Sequence, residues 1–145
     1  MIRKFDKSTD LELLIAGEVE AYTSSYPGSR VPLNLVTNRI RSIESNRARC
    51  VVLDEHGPKG YAVASRHIVT DRIEIYVESI YIDPASRGSG KVELLLNSLL
   101  EKSAENTISL DVSVVNNTAV DSYKTLGFRV QRYRMTKHYP SDSGK

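Results

Sequence analysis

Asp83-Pro84-Ala85-Ser86-Arg87-Gly88-Ser89-Gly90-Lys91 joins a long predicted strand to a predicted helix, and this segment decides how the whole chain is interpreted. Glycine lets phosphate oxygens approach the backbone, and the unbonded N–H groups at a helix start attract anions. Arg87 and Lys91 would add two full positive charges. The segment therefore predicts an anion site, although short glycine loops often only turn a chain from strand to helix.

Two common phosphate-binding motifs do not fit this loop. A nucleotide P-loop needs a glycine five residues before its Gly-Lys pair and a Ser or Thr after it, but Ala85 and Val92 occupy those positions. A dinucleotide fingerprint needs a third glycine where Glu93 stands. The loop is therefore neither of these two motifs.

The strand before the loop, predicted over 72–82, changes its apolar phase. Its apolar residues lie first at odd and then at even positions: Ile73, Ile75 and Val77, then Ile80 and Ile82. Because strand side chains alternate faces, this change predicts a β-bulge between Val77 and Ile80, which would free backbone donors from the ladder. The alternative is a strand buried on both faces, in which phase has no meaning, and Tyr76 and Tyr81 keep that alternative open.

The remaining elements follow from periodicity and from capping and turn residues. A capping-box pattern at Thr9 and Glu12 opens the first long helix, and Pro32 suits the first turn of the next. Besides 72–82, strands are predicted at 2–5, 49–53, 60–69, 108–115 and 128–139, and helices at 9–22, 32–43, 91–104 and 117–126. The order predicts one layered α/β domain over 1–139 and a disordered tail over 140–145.

The composition excludes several classes of protein. A net charge of +2 is too small to indicate nucleic-acid binding, and 40% hydrophobic with 26% charged residues argues against disorder. No apolar run approaches the roughly 20 residues that span a bilayer. The three histidines lack ligand spacing, so no metal site is expected. A single cysteine, Cys50, suits a reducing compartment, and we expect a cytoplasmic protein.

The loop resembles the coenzyme-binding segment of the GNAT superfamily of N-acetyltransferases. That segment runs from a strand through Asp-Pro and two further residues into Arg/Gln-x-x-Gly-x-Gly/Ala and a helix. Asp83-Pro84, Arg87 and Gly90 match it, whereas Val92 stands where the family usually has Gly or Ala. The departure at Val92 concerns the fit of the last loop amide.

A second segment is similar to the next part of the same family. The matching residues are Leu110-Asp111-Val112, Asn116, Ala119, Tyr123 and Gly127-Phe128. The two segments together cover about 72–136. The resemblance implies a mixed, mostly antiparallel central sheet flanked by about four helices, with a bulged fourth strand. It also implies acetyl-coenzyme A as the co-substrate, without a metal.

The resemblance also implies which residues meet the coenzyme. The pantetheine arm would add like a strand along Ile80, Tyr81 and Ile82. The pyrophosphate would lie on the loop and helix start, and the residues involved are Arg87, Gly88, Ser89, Gly90, Lys91, Val92 and Glu93. Asn116 would hold the arm from its other side, and Tyr123 would lie near the sulfur.

The implied reaction is direct attack of a neutral amine on the thioester. A primary amine with a pKa near ~10.4 is protonated at neutral pH, so a base is needed. Glu78, beside the predicted bulge, is the first hypothesis, and Asp111 is the second. Tyr123 matches the family's tyrosine acid. Each could instead be structural: the carboxylates as solvated strand residues and Tyr123 as a packed helix residue.

The acceptor is not specified by any motif. Residues 133–137 resemble the corresponding run of amino-terminal protein acetyltransferases, including those of ribosomal proteins, which favours a peptide α-amine. A small-molecule amine and a non-catalytic coenzyme A-binding module are the alternatives. Neither a nucleic-acid nor a membrane partner is expected, and a homodimer is left open.

Overall fold

The computed structural model describes residues 1–101, 104 and 106–141. Five strands, four α-helices and one short 3₁₀ turn are formed within these ranges. In chain order they are β1 (Ile2–Lys4), α1 (Lys7–Ser25), α2 (Leu35–Glu44), β2 (Arg49–Asp54), β3 (Pro58–Val69), β4 (Arg72–Ile82), a 3₁₀ turn (Pro84–Ser86), α3 (Lys91–Glu101), β5 (Ile108–Leu110) and α4 (Asn117–Thr125).

The strands form one sheet in the order β1-β2-β3-β4-β5. The first three pairings are antiparallel and the β4–β5 pairing is parallel. This confirms the predicted α/β class with a mixed, mostly antiparallel sheet. The chain forms two compact units, Met1–Asp111 and Val112–Lys145. The sheet and α1–α3 belong to the first unit, and α4 belongs to the second. The single domain over 1–139 stays a prediction.

The sheet of the first unit is buried on both faces. One face packs against α1 and α2 through a cluster of buried residues: Leu14, Ala48, Cys50, Val52, Tyr61 and Val63. The alternate residues of β2 and β3, among them Val51 and Ala62, are also buried and must point the other way. There α3 contacts β2, β3 and β4, with Leu95 and Leu99 buried.

Helix α1 is tied to the sheet by a buried ion pair near its start. Both terminal nitrogens of Arg3 donate to the Asp10 carboxylate at 2.8 Å, and Asp10 is only 1% exposed. Burial opposes ionisation of Asp10, but hydrogen bonds from Arg3 and the Asp6 amide outweigh it and hold its pKa below the usual range. This pair fixes where α1 crosses the sheet.

The predicted bulge in β4 is confirmed, and the extra residue is Glu78. The register pairs Ser79 with Val63 and Val77 with Ala64, so Glu78 has no partner on β3. Val77 and Ile82 are both buried although one is odd and the other even, which is the phase change read from the sequence. Below we use "the bulge" for Glu78 and its two neighbours on β4.

The bulge also ends the pairing of β4 with β5. The parallel register runs through Ile75–Ile108 and Tyr76–Ser109 to Val77–Leu110 and stops one residue before Glu78. A bulge bends its strand and disrupts the ladder locally, so the two strands separate there. Strand β5 is therefore three residues long, and its predicted extension to 115 is wrong.

The ends of α1 and the start of α2 differ from the sequence expectation. The cap of α1 is Asp6, whose carboxylate accepts the Ser8 amide at 2.9 Å, so the capping box predicted at Thr9 is wrong. Ser and Thr hydroxyls near a helix can also bond the preceding turn. Thr23 does so to the Val19 carbonyl, and α1 continues to Ser25. Helix α2 begins at Leu35, three residues after the expected start.

The strand predicted over 128–139 is wrong: no strand is formed over these residues, all of which lie in the described range 106–141. A strand needs a paired neighbour, and alternation of apolar residues does not supply one. Val130, Tyr133 and Met135 are correspondingly exposed. The predicted tail lies outside the described residues from 142 onward, as do Lys102 and Ser103 of the predicted 91–104 helix. Over the ranges described, no helix is both long and apolar enough to cross a membrane.

The close approach of α1 to β3 requires glycine at position 17. A Cβ there would lie 2.7 Å from Cζ of Tyr61 and nearer still to its hydroxyl. We predict that Gly17→Ala lowers the melting temperature. Overlap with a buried ring costs about 1–3 kcal/mol and exceeds the gain of up to ~1 kcal/mol that alanine gives a helix.

The matched control for this prediction is Ala16→Gly, an exposed change on the same helix that tests propensity alone. Both variants are followed by thermal unfolding. A stabilised Gly17→Ala protein would contradict the packing described for Tyr61.

Candidate active site

The two carboxylates proposed as a base meet where β4 and β5 separate. Val77 and Leu110 form the last pair of the two parallel strands. The next residues along each strand are Glu78 and Asp111, so both carboxylates flank the opening. We call these four residues the β4–β5 fork. The fork brings together two site residues that are 33 positions apart in the numbering of the chain.

Asp111 accepts a hydrogen bond from Tyr76, a tyrosine on β4. The Tyr76 hydroxyl donates to Oδ2 of Asp111 at 2.7 Å, and the Tyr76 ring stacks on His67 with centroids 4.5 Å apart. Burial, followed by the bond to Asp111, raises the pKa of Tyr76 to about 12. Tyr76 is therefore a neutral donor that holds Asp111 at neutral pH.

Glu78 is held by Arg39 of α2, one of the two helices that cover this face of the sheet. A terminal nitrogen of Arg39 donates to Oε1 of Glu78 at 2.7 Å, and Nε of the same guanidinium donates to Oε1 of Glu18 at 2.7 Å. Glu18 lies on α1 and is 4% exposed. We call these three residues the Glu18–Arg39–Glu78 triad.

The bulge brings a second β4 side chain beside this contact. Ser79 donates to Oε2 of Glu18 at 2.5 Å, so both Glu78 and Ser79 direct their side chains toward the α1–α2 layer. In a regular strand two consecutive side chains point to opposite faces. Val77 pairs with Ala64 and points to the α3 side, so the extra residue lets both Glu78 and Ser79 lie on the side of α1 and α2.

The glycine loop has three consecutive residues in the left-handed region. Gly88, Ser89 and Gly90 have φ values of 102°, 57° and 72°. A Cβ placed on either glycine would meet no atom within 4 Å, so the backbone faces open space. Such turns make successive N–H groups converge, and α3 begins directly afterwards at Lys91. The arrangement suits an anion with several oxygens.

The cations of the loop are paired with acids on the protein surface. Arg87 donates to the Ile82 carbonyl at 2.9 Å and forms an ion pair with Glu20 of α1 at 3.2 Å. Lys91 forms a pair with Glu55 at 2.8 Å and thereby lowers the pKa of that carboxyl. Because solvated ion pairs are weak, an incoming phosphate could take the place of either acid.

Asn116 and Tyr123 lie in the second unit, Val112–Lys145. Asn116 caps α4, its side-chain oxygen accepting the Ala119 amide at 3.2 Å. Tyr123 packs edge-on against Phe128 with centroids 5.5 Å apart, and burial raises its pKa. Tyr123 is therefore fully protonated at neutral pH.

Among the residues that the structure describes, no group of three or more His, Cys, Asp or Glu side chains is arranged to hold a metal ion.

Glu18, Tyr61 and Ser79 were missed by the sequence analysis. The Tyr61 hydroxyl donates to Oε2 of Glu18 at 2.6 Å, and burial together with the Glu18 charge raises the pKa of Tyr61. One signal was available: Asp10, Leu14 and Glu18 recur every four residues on α1, which places two acids on its buried stripe. A charge on an apolar stripe indicates a partner, but not which one.

Solved structures with the same architecture include three that cover nearly all of both chains. A tetramutant of the BH1408 protein from Bacillus halodurans has a TM-score of 0.78 at 18% identity, over 96% of this chain and 99% of that one. The AAC(6')-Iy complex with the bisubstrate analogue CoA-S-monomethyl-acetylneamine has 0.74 at 18%, over 97% and 98%. A predicted acetyltransferase from Clostridium acetobutylicum, solved with acetyl-CoA, has 0.71 at 18%, over 95% of each. At such identities the likeness concerns the fold.

Two proteins are similar in sequence over part of their length. An uncharacterised protein of Mycobacterium leprae, ML0378, is 37% identical over 82 residues, which cover 57% of this chain and 23% of that protein. The N-alpha-acetyltransferase RimI of Mycobacterium tuberculosis is 35% identical over 85 residues, covering 59% of this chain and 52% of RimI. The chain thus spans about a quarter and about half of these two relatives.

The family itself is shown by a match that extends over most of the chain. The model of the Acetyltransferase (GNAT) family matches residues 14–128, which include most of α1, the bulge, the glycine loop and α4. The fold and the order of the two motif segments agree with that match. The chain belongs to the GNAT family of acetyltransferases.

Proposed function

We propose that this protein is an acetyl-coenzyme A-dependent N-acetyltransferase that acts on a primary amine without a covalent enzyme intermediate. The observation that carries the proposal is the β4–β5 fork, where the bulged strand leaves its neighbour and runs on into the glycine loop. Along the chain, the part of β4 that β5 leaves unpaired is followed directly by the glycine loop and the start of α3, which suit an anion. A coenzyme with a peptide-like arm and a pyrophosphate matches that sequence of sites.

The loop residues fit the pyrophosphate. The left-handed turn at Gly88, Ser89 and Gly90 points backbone donors outward, and the open space at both glycines lets oxygens approach closely. Val92 and Glu93 would add amides from the first turn of α3. Val92 differs from the usual family residue only in its side chain, so its amide remains available.

The edge of β4 beyond Val77 fits the pantetheine arm. Pairing with β5 ends at that residue, so Ile80, Tyr81 and Ile82 present a sheet edge that β5 does not use. An extended amide-containing ligand can add to such an edge as another strand would. Asn116 is assigned to the arm on the family motif alone.

Glu78 is the base in this proposal. It removes a proton, directly or through water, from the acceptor ammonium, and the amine nitrogen then attacks the thioester carbon. Its carboxylate is 25% exposed, and only Oε1 has a hydrogen bond among the residues whose placement is described. Asp111 stands at the same fork, but its Oδ2 is occupied by the Tyr76 hydroxyl. Asp111 is therefore the alternative base.

Tyr123 supplies the proton for the leaving sulfur in the same proposal. As the tetrahedral centre collapses, the attached nitrogen loses its second proton to water, the C–S bond breaks, and the thiolate takes the phenolic proton. Glu78 releases its proton to solvent. The assignment rests on the family motif and on the protonated state of this residue at neutral pH. The phenol regains its proton from solvent after each turnover.

The acceptor class is a peptide or protein α-amine in this proposal. The partial match to RimI and the run Tyr133-Arg134-Met135-Thr136-Lys137 favour it. We expect measurable turnover with short peptides that carry a free amino terminus, and none with the same peptides acetylated at that end. Mass spectrometry of the products locates the acetyl group. Turnover confined to polyamines or amino sugars would assign the acceptor to the small-molecule class.

Acetyl-coenzyme A is expected to stabilise the fold through the glycine loop. At a hundredfold excess over its dissociation constant it adds about 2.7 kcal/mol to the free energy of unfolding, seen as a higher melting temperature. Gly90→Val should abolish the rise, because a β-branched side chain opposes the left-handed φ and fills the space for the phosphate.

The control is Gly28→Val, since Gly28 has a similar φ of 78° in the loop after α1. It carries the same backbone strain and should keep the coenzyme-dependent rise. A parent protein whose melting temperature does not respond to acetyl-coenzyme A would exclude the proposed function.

Glu78→Gln tests the base. Turnover is expected to fall roughly a hundredfold at neutral pH and to recover in part at high pH, where the amine loses its proton unaided. Asp111→Asn and the exposed Glu44→Gln are measured beside it over the same pH range. Normal turnover in Glu78→Gln together with a loss in Asp111→Asn would transfer the role to Asp111.

Tyr123→Phe tests the acid. The ring is kept, so coenzyme affinity and melting should change little, whereas turnover should fall roughly ten- to a thousandfold. Tyr139→Phe, an exposed tyrosine in the same unit, serves as the control. Undiminished turnover in Tyr123→Phe would leave water as the proton source.

A further inference from the structure

Glu18 is a buried carboxylate whose hydrogen bonds all come from other elements. Oε2 accepts the hydroxyls of Tyr61 on β3 and Ser79 on β4, and Oε1 accepts Nε of Arg39 on α2. A buried ionised carboxylate is costly unless its lone pairs are satisfied, and here three donors satisfy them. Glu18 therefore has a defined position relative to the sheet.

Arg39 transmits that position to the bulge. Its guanidinium is planar, so the direction of the bond to Glu18 determines where its other nitrogens point. One of them meets Oε1 of Glu78 at 2.7 Å. Burial would lower the pKa of Arg39, but the charges and bonds of Glu18 and Glu78 outweigh it and raise the pKa. Arg39 is thus a permanent cation that joins two carboxylates.

Stability alone is a weak explanation for this arrangement. Burying charged groups costs desolvation that their attraction often only balances, and apolar replacements are frequently as stable. The triad has two negative charges and one positive charge, and its outer end is the 25% exposed carboxylate at the fork. Arg39 holds one oxygen of Glu78, and Oε2 accepts no hydrogen bond from the residues that the structure describes.

We propose that Glu18 and Arg39 are positioning residues that orient the carboxylate of Glu78 at the β4–β5 fork for proton removal from the acceptor amine. This inference rests on the proposed function, in which Glu78 is the base. Neither residue touches the reacting atoms. Glu18 acts by holding Arg39, and Arg39 acts by fixing one oxygen of Glu78.

The charges around Glu78 predict opposite effects of the two positioning residues on pH dependence. The titratable and charged groups around the triad and the fork are Glu18 from α1, Arg39 from α2, Tyr61 from β3, Tyr76 from β4 and Asp111 after β5. Removing the positive charge in Arg39→Gln makes protonation of Glu78 easier and moves the acid limb of the rate profile to higher pH. Removing a negative charge in Glu18→Gln moves it to lower pH.

The decisive experiment is a double-mutant cycle with Glu78→Gln. In the parent protein, Glu18→Gln and Arg39→Lys should each lower kcat about tenfold or more, with KM for acetyl-coenzyme A unchanged within about twofold. Lysine keeps the charge but cannot span both carboxylates with fixed geometry. In the Glu78→Gln background the same changes should lower kcat by no more than about twofold, because there is no base left to orient.

Exposed neighbours on the same helices provide matched controls: Glu12→Gln on α1 and Arg41→Lys on α2. Melting temperatures are recorded for every variant. Should Glu18→Gln fail to fold, Arg39→Lys carries the test, since it preserves the charge balance of the triad.

Two results would overturn the inference. One is a loss of kcat of the same size in the parent and in the Glu78→Gln background, which means that Glu18 and Arg39 act on the fold alone. The other is full turnover in folded Arg39→Lys with an unmoved acid limb in Arg39→Gln. Normal turnover in Glu78→Gln itself is a separate outcome, because it removes the proposed base and with it the group to be positioned.

Discussion

Glu78 is one residue too many for the β3–β4 ladder, and the strand accommodates it as a bulge between Val77 and Ser79. Three features follow from this insertion. Two consecutive side chains turn toward the α1–α2 layer, the parallel pairing with β5 stops at Val77, and β4 continues as a free edge into the glycine loop. In a regular ladder only one of these two consecutive side chains would lie on that side of the sheet.

Helix α1 aligns this region with the rest of the sheet. Its start is held by the Arg3–Asp10 pair, its middle approaches β3 through Gly17, and the next residue, Glu18, meets Tyr61, Ser79 and Arg39. Near its end, Glu20 reaches Arg87 of the glycine loop. One rigid element thus connects the bulge to the loop. The buried stripe of this helix contains two acids, Asp10 and Glu18, where packing alone would favour apolar residues. The helical layer beside the fork is therefore charged rather than purely hydrophobic.

Local sequence patterns predicted an element well where its structure depends on the spacing of apolar side chains or on a glycine. The bounds of β4 and the bulge within it followed from the phase of isoleucine and valine, and the loop followed from Gly88 and Gly90. Helix ends were less predictable, because Asp6 and Thr9 are both good caps and the choice depends on which side-chain oxygen the first amides reach. The strand expected over 128–139 failed for a different reason: alternation describes a surface that suits a sheet but does not provide the neighbour.

The sequence by itself determined the two family motifs, the β4 bulge and the glycine loop, since each is encoded within a short run of neighbouring residues. Only the tertiary structure decided how Glu78 is held. Its partner Arg39 is 39 residues away, and Glu18 is 21 residues from Arg39 and 61 from Ser79. Periodicity reports contacts one strand step or one helical turn apart. Hydrogen bonds between α1, α2 and β4 depend on how those elements pack, which no local pattern contains.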